Sequence, residues 1–258
     1  MKKVTQIAIA LLASLGIHQE INYYSNSRKN EVKAEYSNSK EKLKKDLESK
    51  IGDNNYQSSN NANKKEVLSR YNFTRKSLQE IFDEYQKEHP EEKFEKSIIV
   101  EKEPRVLTVY VNNIPLKSYR IALSGVPGDK VLEGDMKTPE GDFFIERKRY
   151  SNFDHPLIIS YPLPEDAERG LKYGIIKRWR YKEIIDAHKN CKVPPQRNDG
   201  LGSNILIHGG GGYSRGDWTA GCIALNNSEK DELYQFIKPG CKGTKVIVVG
   251  RYYDFDEE

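Results

Sequence analysis

From Ser97 onward the apolar residues recur in short runs, and this pattern constrains the fold more than any other feature of the chain. Ile98-Ile99-Val100 and Val106 to Val111 are β-branched-rich runs of strand length. Asn112-Asn113 marks a turn, and Lys117 to Ser124 mixes apolar and polar residues in partial alternation. Asp142 to Ile145, Pro156 to Ser160, Ile205 to Ile207 and Thr244 to Val249 read as further strands. Short strands in succession predict a mostly β domain with a few helices, arranged as an antiparallel sheet or sandwich. Gly125 to Gly141 is a glycine- and proline-bearing loop, and Pro162 to Gly202 is a long mixed connection with a helix expected over Tyr181 to His188. Connections of that length in a compact domain tend to be functional or disordered. Ser228, with Asp231 three residues later, is expected to cap a helix that runs to Phe236.

The chain before Ser97 has a different character. Lys2-Lys3 precedes an apolar stretch from Val4 to Ile17, with Ser14-Leu15-Gly16 near its end. This is the layout of a secretory signal. The stretch falls short of the ~20 apolar residues of a spanning helix. Residues 1–21 are therefore expected to be a signal peptide or an anchor, with the product exported to the periplasm or cell envelope. Residues 22–96 read as a polar spacer rich in Asn, Ser, Lys and Glu. Within it, apolar residues at spacings of three and four predict a helix over Lys65 to Glu88, stopped by Pro90 and packed on the outside of the main domain. That leaves a main domain over 97–250 and an acidic tail over 251–258. The 42 basic and 38 acidic side chains leave a net charge of only +4. No basic stripe with interleaved aromatics stands out, so no nucleic-acid partner is expected.

One stretch carries chemistry. Ile205-Leu206-Ile207 delivers His208 into four glycines, Gly209 to Gly212, and thirteen residues separate His208 from Cys222 in a Thr219-Ala220-Gly221-Cys222 turn. A thiol attacks only as thiolate, and its ordinary pKa is about 8.5. A histidine within hydrogen-bond reach supplies the base near neutral pH. The histidine needs a third group to fix its tautomer, and the Gly209 carbonyl can serve if the chain turns back there, which glycine permits. Backbone N–H groups of Gly221 and Cys222 could form an oxyanion hole. Set against this, a lone cysteine is most often a small core hydrophobe. His208 and Cys222 lack further ligands at metal spacing, and no phosphate-binding glycine motif is present, so neither a metal nor a cofactor is expected. Three cysteines in an exported chain leave at least one outside any internal disulfide. A Cys191–Cys241 bond would leave Cys222; two unpaired thiols are equally compatible with the sequence.

These residues carry a resemblance. His208-Gly209 followed by Thr219-Ala220-Gly221-Cys222 resembles the catalytic signature of the YkuD-type L,D-transpeptidases, a His-Gly followed after a spacer by [Ser/Thr]-His-Gly-Cys. Gly134 to Gly141, GDMKTPEG, resembles the family's G-D-x-x-T-P-E-G loop. The resemblance covers about Arg105 to Gly250, and Asp217 to Leu225 is most similar to the YafK- and ErfK-like branch. Ala220 replaces the second histidine of the signature, Ala224 stands where many members carry Arg or Asn, and the spacer is short.

The resemblance implies a YkuD-like β-sandwich and a cysteine acyltransferase acting on peptidoglycan stem peptides. Cys222, His208 and Gly209 are the implied catalytic residues. Gly221, Trp218, Thr219, Tyr213 and Arg215 are expected to contact substrate, with Arg178 and Arg180 as further candidates for holding carboxylates. Tyr161 is a further candidate for lining the groove, and Thr138 and Gly141 are expected to shape the sheet beneath the site. The thioester would pass to an amine, giving a 3-3 crosslink or attachment of a wall-anchored protein. A hydrolase of the same fold and a non-catalytic wall-binding protein are the alternatives, and the N-terminus offers a membrane tether.

Overall fold

The computed structural model describes residues 71–90, 93–147 and 155–250. The expected signal or anchor, most of the spacer and the acidic tail lie outside the described residues. Among the described residues, all but Tyr173–Ile175 belong to one compact unit.

In chain order the elements are α1 (Leu78–Glu88), β1 (Lys96–Glu101), β2 (Val106–Val111), β3 (Ile114–Arg120), β4 (Gly141–Arg147), β5 (Leu157–Ile159), α2 (Pro164–Lys172), α3 (Arg178–Lys189), β6 (Leu206–His208), a 3-10 turn (Tyr213–Arg215), β7 (Ile223–Ala224), α4 (Asn227–Phe236) and β8 (Lys245–Val249). The eight strands follow the order β3-β2-β1-β8-β4-β5-β6-β7. Two pairs, β1 with β8 and β6 with β7, are parallel, and the others are antiparallel. The sheet curls until its ends meet: just past β3, Ala122 forms an antiparallel bridge with Ala224 of β7. The fold is mostly β with a few helices, as the succession of short strands predicts.

Alternation along the strands separates two faces. Ile98 and Val100, Leu107, Val109 and Val111, Phe143 and Ile145, Leu157 and Ile159, Ile205 and Ile207, and Val246 and Val248 all join one core cluster. Ile223 and Leu225 join it from β7 and the residue after it. The residues between them face the other way. Leu206 and His208 therefore point to the face opposite the core.

Helix α1 is shorter than the sequence predicts. It begins at Leu78 because Ser77 caps it: Glu80 N donates to Ser77 Oγ at 3.2 Å, and Ser77 N donates to Glu80 Oε2 at 2.7 Å. Tyr71–Lys76 are not helical. Leu78, Phe82 and Tyr85 enter the core cluster, with the Phe82 ring edge-on to Phe236 of α4 at 5.1 Å. The residue that caps α4 is Asn226 rather than Ser228, and Glu229 Oε2 accepts from Asn226 N at 3.1 Å. Helix α2 was not expected. Among the described residues no helix is long and apolar enough to cross a membrane.

Cys191, just after α3, and Cys241, just before β8, form a disulfide with Cα atoms 5.3 Å apart. It closes a loop of sequence separation 50. Constraint of the unfolded chain by a loop of that size stabilises the fold by about 4 kcal/mol.

Candidate active site

Strand register brings the cysteine and the histidine together. Ile207 pairs with Ile223 and His208 with Ala224 in the parallel β6–β7 ladder. One step back along the same register sets Cys222 beside Leu206. Cys222 and His208 are then diagonal neighbours on the sheet face opposite the core, because Ile207 and Ile223 both point into it. Leu225 N donates to the His208 carbonyl at 2.9 Å and locks this register just past the ladder.

His208 is 2 % exposed. Its Nδ1 donates to the Gly209 carbonyl at 2.5 Å. A carbonyl only accepts, so the proton sits on Nδ1 and Nε2 carries the lone pair. Burial lowers the imidazole pKa below 6.5, and the Gly209 hydrogen bond offsets this only in part. The ring is therefore neutral at neutral pH, the form that accepts a proton. The Trp218 ring lies edge-on to it at 5.6 Å. Trp218 Nε1 donates to the Gly211 carbonyl at 3.0 Å. The glycine run folds tightly: Gly210 N donates to Asn227 Oδ1 at 2.7 Å and Gly212 N to Asn226 Oδ1 at 3.1 Å. Any side chain at Gly209 would collide with Asn227 Oδ1.

Cys222 is half-buried, lies outside the disulfide, and its thiol approaches the Asn204 carbonyl at 3.5 Å. The turn before it depends on Gly221, whose φ is +114°. A Cβ there would sit 2.6 Å from the Lys137 carbonyl oxygen. The Gly134–Gly141 loop thus forms the floor of the Thr219–Cys222 turn. Thr219 Oγ1 donates to the Cys222 carbonyl at 2.7 Å, and Gly221 N reaches Thr219 Oγ1 at 3.4 Å.

Two buried lysines brace the floor. Lys102 Nζ donates to the Gly128 carbonyl (2.6 Å), the Thr138 carbonyl (2.7 Å) and Glu140 Oε1 (2.9 Å). Lys130 Nζ pairs with Asp135 at 2.8 Å. Asp135 also accepts from Val131 N, Leu132 N and Lys137 N. Burial pushes its carboxyl up, but the Lys130 ammonium and the Leu132 and Val131 amides outweigh that and hold it below the usual range. Thr138 is buried, and Gly141, at φ +129°, opens β4 under Leu163. On the other side, Asp217 clamps the turn to the segments just before β2 and just past β3: its carboxylate takes Arg105 Nη2 at 2.7 Å and Leu123 N at 3.0 Å. The Leu123 carbonyl accepts from both Trp218 N and Thr219 N at 2.9 Å.

The expected substrate contacts divide. Trp218 (36 % exposed) stands open to solvent beside His208; Tyr213 (40 %) and Arg215, whose Nη1 donates to the Gly210 carbonyl at 2.7 Å, are exposed on the glycine-rich segment that follows it. Thr219 is only 4 % exposed and its hydroxyl is used within the turn, so it is placed to hold Cys222 rather than to meet a ligand. Gly221 is buried with it. Arg180 is not a surface charge: it is 1 % exposed and paired with Asp199 and Glu183. Arg178 is exposed. Tyr161 is fully buried, its hydroxyl donating to the Leu201 carbonyl at 2.8 Å, and so lines no open surface.

A thiol and a tautomer-fixed imidazole on one sheet face are the parts of a cysteine–histidine site, a class able to form and resolve thioesters. Comparison with known proteins gives this class a family. The model of the YkuD family, the L,D-transpeptidase catalytic domain, matches residues 95–248. The chain belongs to that family. Among solved structures it is similar to the helical cell shape determining protein Pgp2 from Campylobacter jejuni, with 22 % identity over 62 % of this chain and 50 % of that one, at a TM-score of 0.42. It is also similar to L,D-transpeptidases from Xylanimonas cellulosilytica (12 % identity, 62 % and 63 % coverage, TM-score 0.36) and Mycobacterium tuberculosis (12 %, 60 % and 58 %, 0.36). The chain spans about half the length of the Pgp2 structures it matches. A search of curated proteins gave no match.

Proposed function

We propose that this protein is an L,D-transpeptidase of the cell envelope that forms a thioester between Cys222 and a peptidoglycan stem peptide. The observation that carries the reading is the Nδ1–H bond from His208 to the Gly209 carbonyl, which leaves Nε2 as the proton acceptor on the face shared with Cys222. Cys222 Sγ attacks the carbonyl of the L,D peptide bond after the third residue of the stem. The thiol proton passes to His208 Nε2, the C–N bond breaks, and the same proton leaves on the departing D-Ala amine. An amine acceptor then attacks the thioester, giving a 3-3 crosslink or attachment of a wall-anchored protein, and Cys222 recovers its proton. Trp218, Tyr213 and Arg215 border the peptide, while Thr219 and Gly221 hold the turn. Backbone N–H groups at the turn stabilise the oxyanion, a contribution on the order of 3 kcal/mol per donor.

The test is intact-protein mass spectrometry with muropeptides, with and without an amine acceptor. The expected result is a Cys222 adduct that converts to dimers or acceptor products. Tripeptides alone, with or without acceptor, would replace the transferase reading by a hydrolase. Full activity in Cys222→Ala would remove the mechanism.

A further inference from the structure

Arg120 ends β3 close to the point where the sheet closes on β7. Its guanidinium carbon lies 5.1 Å from the centre of the Phe73 ring and 5.0 Å from that of Tyr213. Both rings are exposed, by 42 % and 40 %. Aromatic contact steadies a guanidinium without using its N–H groups, which remain available as a planar fork. Other arginines with restricted exposure already hold carboxylates: Arg105 holds Asp217, Arg169 holds Asp166 and Arg180 holds Asp199. Arg120 has no carboxylate partner among the described residues. A half-buried cation, oriented in advance and lacking an internal counter-charge, is suited to a carboxylate supplied from outside.

Its position relative to the nucleophile follows from the seam. The antiparallel bridge pairs Ala122 with Ala224. Because the bridge is antiparallel, Arg120 and Cys222, each two residues before a bridge partner, lie on opposite sides of it. Arg120 therefore lies roughly 13 Å along the seam from the level of Cys222, a span that about four extended residues cover. Tyr213 belongs to the same glycine-rich segment that carries His208 and the carbonyls bound by Trp218 and Arg215.

We propose that Arg120, held by Phe73 and Tyr213, binds a carboxylate of the substrate peptide at the far end of the seam from Cys222. This rests on the peptide-substrate reading above, and it adds a charge requirement that the reading does not contain. Stem peptides would be selected by a free carboxylate at that distance, and amidation of it would weaken binding.

The experiment uses the 258-residue chain carrying Cys222→Ala, so that binding is measured without turnover. A stem tetrapeptide and versions amidated at one carboxylate at a time are titrated by calorimetry. The expected result is that amidation at one position raises Kd at least ~10-fold, the scale of a lost charge-assisted pair. In Arg120→Gln that penalty disappears, because acid and amide then bind equally. Arg120→Lys keeps part of it, and thermal melting checks the fold of both variants. An amidation penalty that is the same with and without Arg120, or no peptide binding at all, overturns the proposal. Adduct formation on Cys222 in the unsubstituted chain is scored separately. A chain that acylates normally but shows no Arg120-dependent penalty loses only this inference.

Discussion

Gly221→Ala isolates what the turn before Cys222 requires of its backbone. Two effects add at this position. A φ of +114° lies where an L side chain is strained, at about 1–3 kcal/mol. The new methyl would also meet the Lys137 carbonyl oxygen at 2.6 Å, well inside van der Waals contact. That oxygen belongs to backbone, so either the turn or the loop beneath it must shift by several tenths of an ångström. Overpacking of this kind costs about 1–3 kcal/mol. A combined loss of about 2–6 kcal/mol lowers Tm by roughly 4–24 °C in a domain of this size. Gly240→Ala is the control, since its φ is +95° and no atom lies within 4 Å of the added methyl. It carries the strain without the collision, so Gly221→Ala should melt several degrees lower. The shift should also move Cys222 away from the imidazole, and a misplacement near 1 Å costs on the order of 100-fold in rate. Scanning calorimetry gives the first quantity, and the rate of Cys222 alkylation by iodoacetamide at neutral pH gives the second. If the two variants melt together and Cys222 reacts at the unsubstituted rate in both, the account of the turn is wrong.

Further outcomes follow from the same geometry. Because burial holds the His208 pKa below 6.5, the acid limb of the rate profile should fall below that of an ordinary histidine; a midpoint above 6.5 would contradict the buried, neutral ring. The linked stability has a definite sign: it is complete above 6.5 and is lost as pH falls through the depressed folded value, which denaturant titration at stepped pH measures. Cys191→Ser with Cys241→Ser should lose about 4 kcal/mol and roughly 8–16 °C in Tm, read by calorimetry of the oxidised chain against the variant. Asp217→Ala removes the acceptor for Leu123 N and the partner of Arg105, which predicts a loss of about 1–3 kcal/mol and a red shift in Trp218 emission as the turn loosens.

The strands were legible because their residues alternate or run apolar over strand lengths, and the observed bounds of β2 coincide with Val106–Val111. The pairing of His208 with Cys222 was legible for a local reason: each adjoins a short apolar run, and those runs are neighbouring strands. Helix α2 was overlooked because its buried face is Asp166, Ala167 and Gly170, which gives no apolar period. Its start signal was nevertheless present in Pro164 followed by Glu165 and Asp166. The α4 cap was misplaced by two residues because two sites offer the same pattern. Asn226 leads to Glu229 and Ser228 to Asp231, and the longer glutamate is the one that reaches back to the cap amide. The floor under Gly221, the clamp by Asp217 and the burial of Lys102, Lys130 and Arg180 join residues far apart in the chain. No local pattern carries such pairings.

The bridge between Ala122 and Ala224 joins positions about a hundred residues apart, so it belongs to the slow, non-local part of folding. Closure of the sheet also seats Trp218 and Thr219 on the Leu123 carbonyl, and with them the wall beside the imidazole. Before that step His208 is not buried, and its imidazole titrates near the ordinary value. The buried, neutral imidazole beside Cys222 is therefore a property of the completed fold. On the thioester mechanism proposed above, acylation of Cys222 should be lost when the seam opens.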